Sequence, residues 1–158
     1  MGFYRGPNIV TDGLIYAIDA GSERSYPGTG TTATSLVGSD TGTLTNGVGF
    51  SSNNGGYWEF DGADDYIINT DTYNLSNFTA EVWVYPTTTP ASGTMASAIS
   101  TVYPGTNSTV NYAIGWNSNY GWMGGFFNSS SGGWHQIDVT SPALNTWHSY
   151  WYYFNFIP

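Results

Sequence analysis

Hydrophobic and polar positions alternate in short runs along this chain, and Gly, Pro and Asn separate one run from the next. That is the pattern of strands and tight turns, not of amphipathic helices. The clearest strand is Phe78 to Pro86, FTAEVWVYP. With a side-chain period of two, Phe78, Ala80, Val82 and Val84 share one face, and Thr79, Glu81, Trp83 and Tyr85 share the other. The same reading predicts strands at Gly13 to Ala20, Tyr57 to Phe60, Tyr66 to Asn69, Ala96 to Val102, Asn111 to Trp116, Gly121 to Phe127, Trp134 to Val139 and Trp147 to Phe156. Between Thr43 and Phe50, the pair Asn46-Gly47 predicts a type I′ hairpin turn. Gly21 to Asp40 is turn-rich, with Pro27-Gly28 as a breaker, and Asp61 to Asp65 forms a tight corner. Many short strands at regular spacing indicate an antiparallel sandwich or barrel. No repeat or linker interrupts the pattern, so one domain is expected over residues 1–158.

The last predicted strand is unusual. Trp147, Trp151 and Tyr153 fall on one face, and Tyr150, Tyr152, Phe154 and Phe156 on the other. A strand apolar on both faces needs cover on both, and an exposed aromatic strand invites association. Tyr150, Trp151, Tyr153, Phe154 and Phe156 are therefore candidate assembly residues, and a homo-oligomer or attachment to a larger particle is expected.

Composition narrows the partners. Only two residues are basic, Arg5 and Arg24, against 11 acids, giving a net charge of -9. Nucleic acid, which is bound through phosphate neutralisation, is disfavoured, as is an anionic membrane surface. With no cysteine there is no disulfide framework or thiolate metal site. Residues 1–11 lack the apolar core of a secretory signal, and no stretch approaches the length of a membrane-spanning helix.

Three clusters carry candidate chemistry. Glu59, Asp61 and Asp64 superficially resemble the paired carboxylates of a retaining glycosidase. However, Gly62 breaks the strand and turns Asp64 away, so no catalytic residue is assigned. Asp61, Asp64 and Asp65 could contribute to the six to eight oxygen ligands calcium takes, and they equally suit an Asx-type turn. Trp116, Trp122 and Trp134 lie near Gly- and Asn-rich turns, where rings could stack on sugars while Asn117, Asn119 and Asn128 supply hydrogen bonds. The same indoles would also fill a sandwich core.

The order of motifs resembles the laminin G-like, concanavalin A-like family. NIVTDGLIYAIDAGSERSYPGTGTT at Asn8 to Thr32, GTLTNGVGFSSNNGGYWEFDGADDYI at Gly42 to Ile67, NFTAEVWVYPT at Asn77 to Thr87 and LNTWH at Leu144 to His148 carry the likeness. The opening MGFYRGPNIVTDGL is similar to structural proteins of tailed, especially marine, bacteriophages. The resemblance implies an all-β antiparallel jelly-roll sandwich that binds glycans or proteins, with no cofactor except the calcium some members hold. Two departures stand out: Ala33 to Gly38 lacks the family's Trp, and the chain stops at Pro158, before the family's closing hairpin. The implied role is a non-enzymatic virion surface protein, a capsid decoration or fibre component partnered by another protein of the particle, with surface glycan as a further ligand. The alternatives are an extracellular lectin module and a glycoside hydrolase.

Overall fold

The computed structural model describes residues 9–71, 73, 75, 77–102, 110–128 and 133–155. Among these residues the chain is all-β, with eleven strands, one 3-10 turn and no α-helix. Every strand pairing is antiparallel. The chain divides into two compact units, Met1–Tyr73 and Asn74–Pro158.

The first unit contains β1 (Thr32–Thr34), β2 (Thr41–Thr45), β3 (Gly49–Ser51), β4 (Tyr57–Glu59) and β5 (Tyr66–Ile68). Strands β1, β2 and β5 form one sheet, and β3 pairs with β4. Its core is Tyr26, Ala33 and Leu44, with Ile18, Val48, Phe50, Trp58 and Ile67 packed around them. The Tyr26 ring meets Phe50 and Trp58 edge-on, at 5.3 and 5.7 Å between centroids. Such contacts stabilise beyond the area they bury.

Two sequence expectations fail in this unit. Gly13 to Ala20 forms no strand. Two of its amides are taken by side chains instead: Ala17 N donates to Ser35 Oγ and Asp19 N to Ser25 Oγ. Ser25 Oγ donates in turn to Thr34 O. Serine hydroxyls compete in this way with ladder bonds, and they satisfy Ser25, which is 2% exposed. Asn46-Gly47 adopts positive φ at both positions, 66° and 110°, as a type I′ turn requires. Yet β2 and β3 do not pair with each other, because β2 lies between β1 and β5 while β3 pairs with β4. The turn passes the chain from one sheet to another rather than closing a hairpin.

The second unit contains β6 (Asn77–Val84), β7 (Met95–Val102), β8 (Val110–Asn117), β9 (Gly121–Asn128), β10 (Gly133–Val139) and β11 (His148–Asn155). These match the predicted strands closely. One sheet runs β10-β9-β8-β7, and β11 pairs with β6 in a two-stranded ribbon. The two sheets share one core. Ile114, Trp116, Trp122 and Phe154 are buried in it, and Phe78, Ala80, Val82, Val84, Tyr150 and Tyr152 pack on them from the ribbon. The period of two therefore settles which side chains of β6 and β11 the ribbon buries, and which it turns to solvent.

Candidate functional site

The outer face of the β6–β11 ribbon follows from its register. Trp83 stands opposite Ser149, Glu81 opposite Trp151, Thr79 opposite Tyr153, and Asn77 opposite Asn155. Exposure alternates strictly along β6, and along β11 every second residue from Ser149 to Asn155 is exposed. On this face Trp83 is 66% exposed, Trp151 67% and Tyr153 60%. Just beyond the register, Tyr85 and Trp147 bring their rings to 5.4 Å between centroids. Ser149 Oγ donates to Glu81 Oε1 at 3.0 Å, which fixes the carboxylate between the two exposed indoles. A cavity of about 430 Å³ lies between β11 and residues 139–143, and it is lined by inward-facing Tyr150 and Tyr152 as well as by Ser149 and Trp151.

What holds this face outward is the packing beneath it. Tyr150 stacks on Trp122 at 4.1 Å and 17°. Phe154 stacks on Phe78 at 4.8 Å and 20°. Between them Tyr152 lies directly over Gly124, where a Cβ would fall 2.3 Å from the ring. With the even-numbered rings of β11 locked inward, the odd-numbered ones face solvent. Burial pushes the Tyr152 hydroxyl up to about 12, helped by the neighbouring Tyr150 and Asp138. That hydroxyl is enclosed and has no hydrogen-bond partner, as are the indole N–H groups of Trp116 and Trp122.

The predicted ligand residues are thus redistributed. Trp116 and Trp122 are 4% and 3% exposed. They face each other across β8 and β9 and fill the core, so they offer no ring to a sugar. The sequence leaves the core and sugar-facing positions both open, because a Trp near a Gly-rich turn reads alike whichever face it takes, and burial decides for the core. Asn117 and Asn119 belong to the β8–β9 turn, where Asn117 Oδ1 accepts the Asn119 amide at 2.9 Å. Asn128 and Trp134 lie on β9 and β10, but their side chains fall outside the described ones. The assembly set is split by face: Tyr150 and Phe154 belong to the core, and Trp151 and Tyr153 to the exposed surface. Phe156 lies outside the described residues. Trp83 and Tyr85 belong to the same surface, and their outward parity was readable in the alternation of FTAEVWVYP.

The acidic corner holds Asp61, Asp64 and Asp65 with carboxylate oxygens within 4.8 Å of one another. These oxygens already serve the turn. Asp61 Oδ1 accepts the amides of Ala63 and Asp64, at 2.8 and 3.4 Å. Asp65 Oδ2 accepts the Asp61 amide at 3.0 Å, while Asp65 Oδ1 is enclosed without a partner. The donor set suits calcium in kind, supplying three of the six to eight oxygens it takes, and also accounts for an Asx turn. Glu59 ends β4 before this corner, and Gly62 sits at φ 77°. Glu59, Asp61 and Asp64 are therefore not aligned on one strand face as a retaining carboxylate pair would be.

Elsewhere in the first unit, Tyr73 donates to Asp40 Oδ2 and accepts from Asn69 Nδ2. Burial, then the Asp40 bond, push its hydroxyl up to about 12. No family model matches the sequence, and neither the curated proteins nor the solved structures give a match.

Proposed function

We propose that this chain is a non-enzymatic surface component of a bacteriophage particle, a capsid decoration or fibre protein, that recognises glycan through the outer face of β6–β11. The observation that carries the reading is the row of solvent-facing rings on that face, Trp83, Trp151 and Tyr153, each more than half exposed. Isolated exposed apolar residues are ordinary, but contiguous patches mark interaction surfaces. The resemblance of the opening MGFYRGPNIVTDGL to phage structural proteins supports placement on a particle. The acidic corner, whose oxygens serve its own turn, supports a binding rather than a hydrolytic role.

The test is direct. Purified particles of the encoding phage, digested and quantified by mass spectrometry, are expected to contain this chain in fixed stoichiometry to the major capsid or fibre protein. Antibody-gold labelling is expected on the particle exterior. Intact virions lacking the chain would refute the placement.

A further inference from the structure

The outer face of β6–β11 combines two kinds of group in a regular arrangement. At three consecutive rungs, one strand contributes a ring and the other a polar side chain: Trp83 with Ser149, Trp151 with Glu81, and Tyr153 with Thr79. The ring alternates strands between the first and second rung. The face ends on the Tyr85–Trp147 pair in one direction and on Asn77 and Asn155 in the other. It holds no Val, Leu, Ile or Met, although Val82 and Val84 on the same β6 strand are turned inward. The aliphatic residues of the ribbon are thus segregated to the core, together with Phe78 and the even-numbered rings of β11, and the outward face is left with rings and polar groups alone.

That segregation discriminates between occupants. A sheet covered by protein, or by a second copy of this chain, packs like an interior, with its charged groups depleted at the centre. Here Glu81 occupies the centre, hydrogen-bonded to Ser149 at 3.0 Å, and burying it against a like face would bring two carboxylates together without a cation. The groups present suit a sugar instead. Rings cover the C–H faces of a pyranose, and a held carboxylate, hydroxyls and carboxamides take its OH groups, as in sites of mostly apolar lining with a few placed polar groups. Charge restricts the sugar further. The two basic residues, Arg5 and Arg24, both lie outside the second unit. The face carries a carboxylate and no cation, so uronic or sulfated chains are repelled. From the Thr79–Tyr153 rung to the Tyr85–Trp147 pair the strip spans about 20 Å along the strands. This is room for about four pyranose rings.

We infer that this face binds an extended, uncharged pyranose polysaccharide running along the strands, with Trp83, Trp151 and Tyr153 as stacking residues and Glu81 as the oriented hydroxyl acceptor. The inference rests on reading the chain as a recognition module, and it does not depend on which particle carries it. The test is affinity electrophoresis and titration calorimetry of the whole chain against neutral polysaccharides (hydroxyethyl cellulose, laminarin, galactomannan, dextran) and anionic ones (alginate, heparin). Binding to at least one neutral polysaccharide is expected, with none to the anionic pair. Trp83→Thr and Trp151→Thr are each expected to weaken it about tenfold, the loss of one well-placed ring contact. Glu81→Gln is expected to weaken it less, since an acceptor oxygen remains. Because all three side chains face solvent, thermal unfolding is expected to be unchanged and serves as the folding control. Failure to bind any neutral polysaccharide, or preference for alginate or heparin, overturns the inference. Self-association in sedimentation that Trp151→Thr abolishes also overturns it and assigns the face to a second copy. Virions without the chain, together with neutral-glycan binding, would reject the particle placement and keep this inference.

Discussion

Substituting Gly124 by Ala tests the contact on which the outward orientation of the aromatic face depends. A Cβ at Gly124 would lie 2.3, 2.4 and 2.6 Å from Cδ1, Cγ and Cε1 of Tyr152. Carbon atoms pack at about 3.5–4.0 Å, so the ring must retreat by more than 1 Å, roughly the difference between those distances. Its retreat is opposed on both sides. Tyr150 is stacked on Trp122, and Phe154, 3% exposed, is stacked on Phe78. Overpacking of this kind destabilises by about 1–3 kcal/mol. Ala in a strand recovers about 0.5–1 kcal/mol relative to Gly. The net expectation is a loss of about 1–2 kcal/mol, large against a total of about 5–15 kcal/mol for a domain.

A double-mutant cycle isolates the clash from the propensity change. Tyr152→Ala alone should cost about 2–4 kcal/mol, somewhat below a fully buried aromatic, because Tyr152 is only partly buried. In that background Gly124→Ala meets no ring and should stabilise by about 0.5–1 kcal/mol. The two substitutions should therefore couple by about 1.5–3 kcal/mol, with the double variant more stable than additivity predicts. Urea unfolding followed by tryptophan fluorescence gives the values, and an unchanged m confirms that the unfolded surface is the same. Additivity within about 0.5 kcal/mol would refute the reasoning. It would mean that Tyr152 does not rest on Gly124. A one-residue slip of β11 would then send the odd-numbered rings inward, and the proposed binding face would not exist.

The Tyr152 hydroxyl, enclosed without a partner, makes Tyr152→Phe stabilising by about 1 kcal/mol at neutral pH, the relief of an unsatisfied polar group. Its folded-state value, about 12 against 10.0 unfolded, favours the neutral form. Wild-type stability is therefore complete below pH 10 and declines from pH 10 through 12, and the advantage of Tyr152→Phe should widen over that window. Urea midpoints at pH 8, 10 and 11 read both effects; a constant difference would contradict the second. Asp61→Ala removes the acceptor of the Ala63 and Asp64 amides and should cost about 1 kcal/mol. The loss should be equal in calcium and in chelator if the turn alone accounts for it; a loss seen only in calcium would make the corner a cation site.

The fold class was legible because its signal is periodic. Phe78 to Pro86 and Trp147 to Phe156 read as strands, and the period of two assigned Trp151 and Tyr153 to one face and Tyr150 and Phe154 to the other. The first unit was less legible. Gly13–Ala20 has strand composition, but Ser35, eighteen residues from Ala17, and Ser25, six from Asp19, claim two of its amides, and alternation reveals neither. Asn46-Gly47 specifies a turn conformation and cannot specify which strands lie beyond it. The positions of Trp116 and Trp122 stayed open between core and surface for a related reason: Gly-rich flanks suit a sugar-facing turn and a close-packed core alike. Here those flanks serve packing: Gly124, two residues from Trp122, makes the notch that Tyr152 fills.

Core and surface in the second unit are consequently set by one parity choice in β11. Trp122, Tyr150 and Phe154 bind the ribbon to the larger sheet, and each inward ring fixes its neighbour outward. A strand with rings on both faces would normally be a liability. On this ribbon the outward rings are interleaved with Glu81, Ser149, Thr79 and two asparagines, which break the apolar surface with polar groups. Rigid inner packing and a hydrated outer face have opposite demands on composition, and β6 and β11 meet both with a single alternating pattern. The order of the exposed rings thus comes from the core beneath them. A substitution such as Gly124→Ala, which touches no exposed ring, should therefore weaken sugar binding and stability together, whereas Trp83→Thr should affect binding alone.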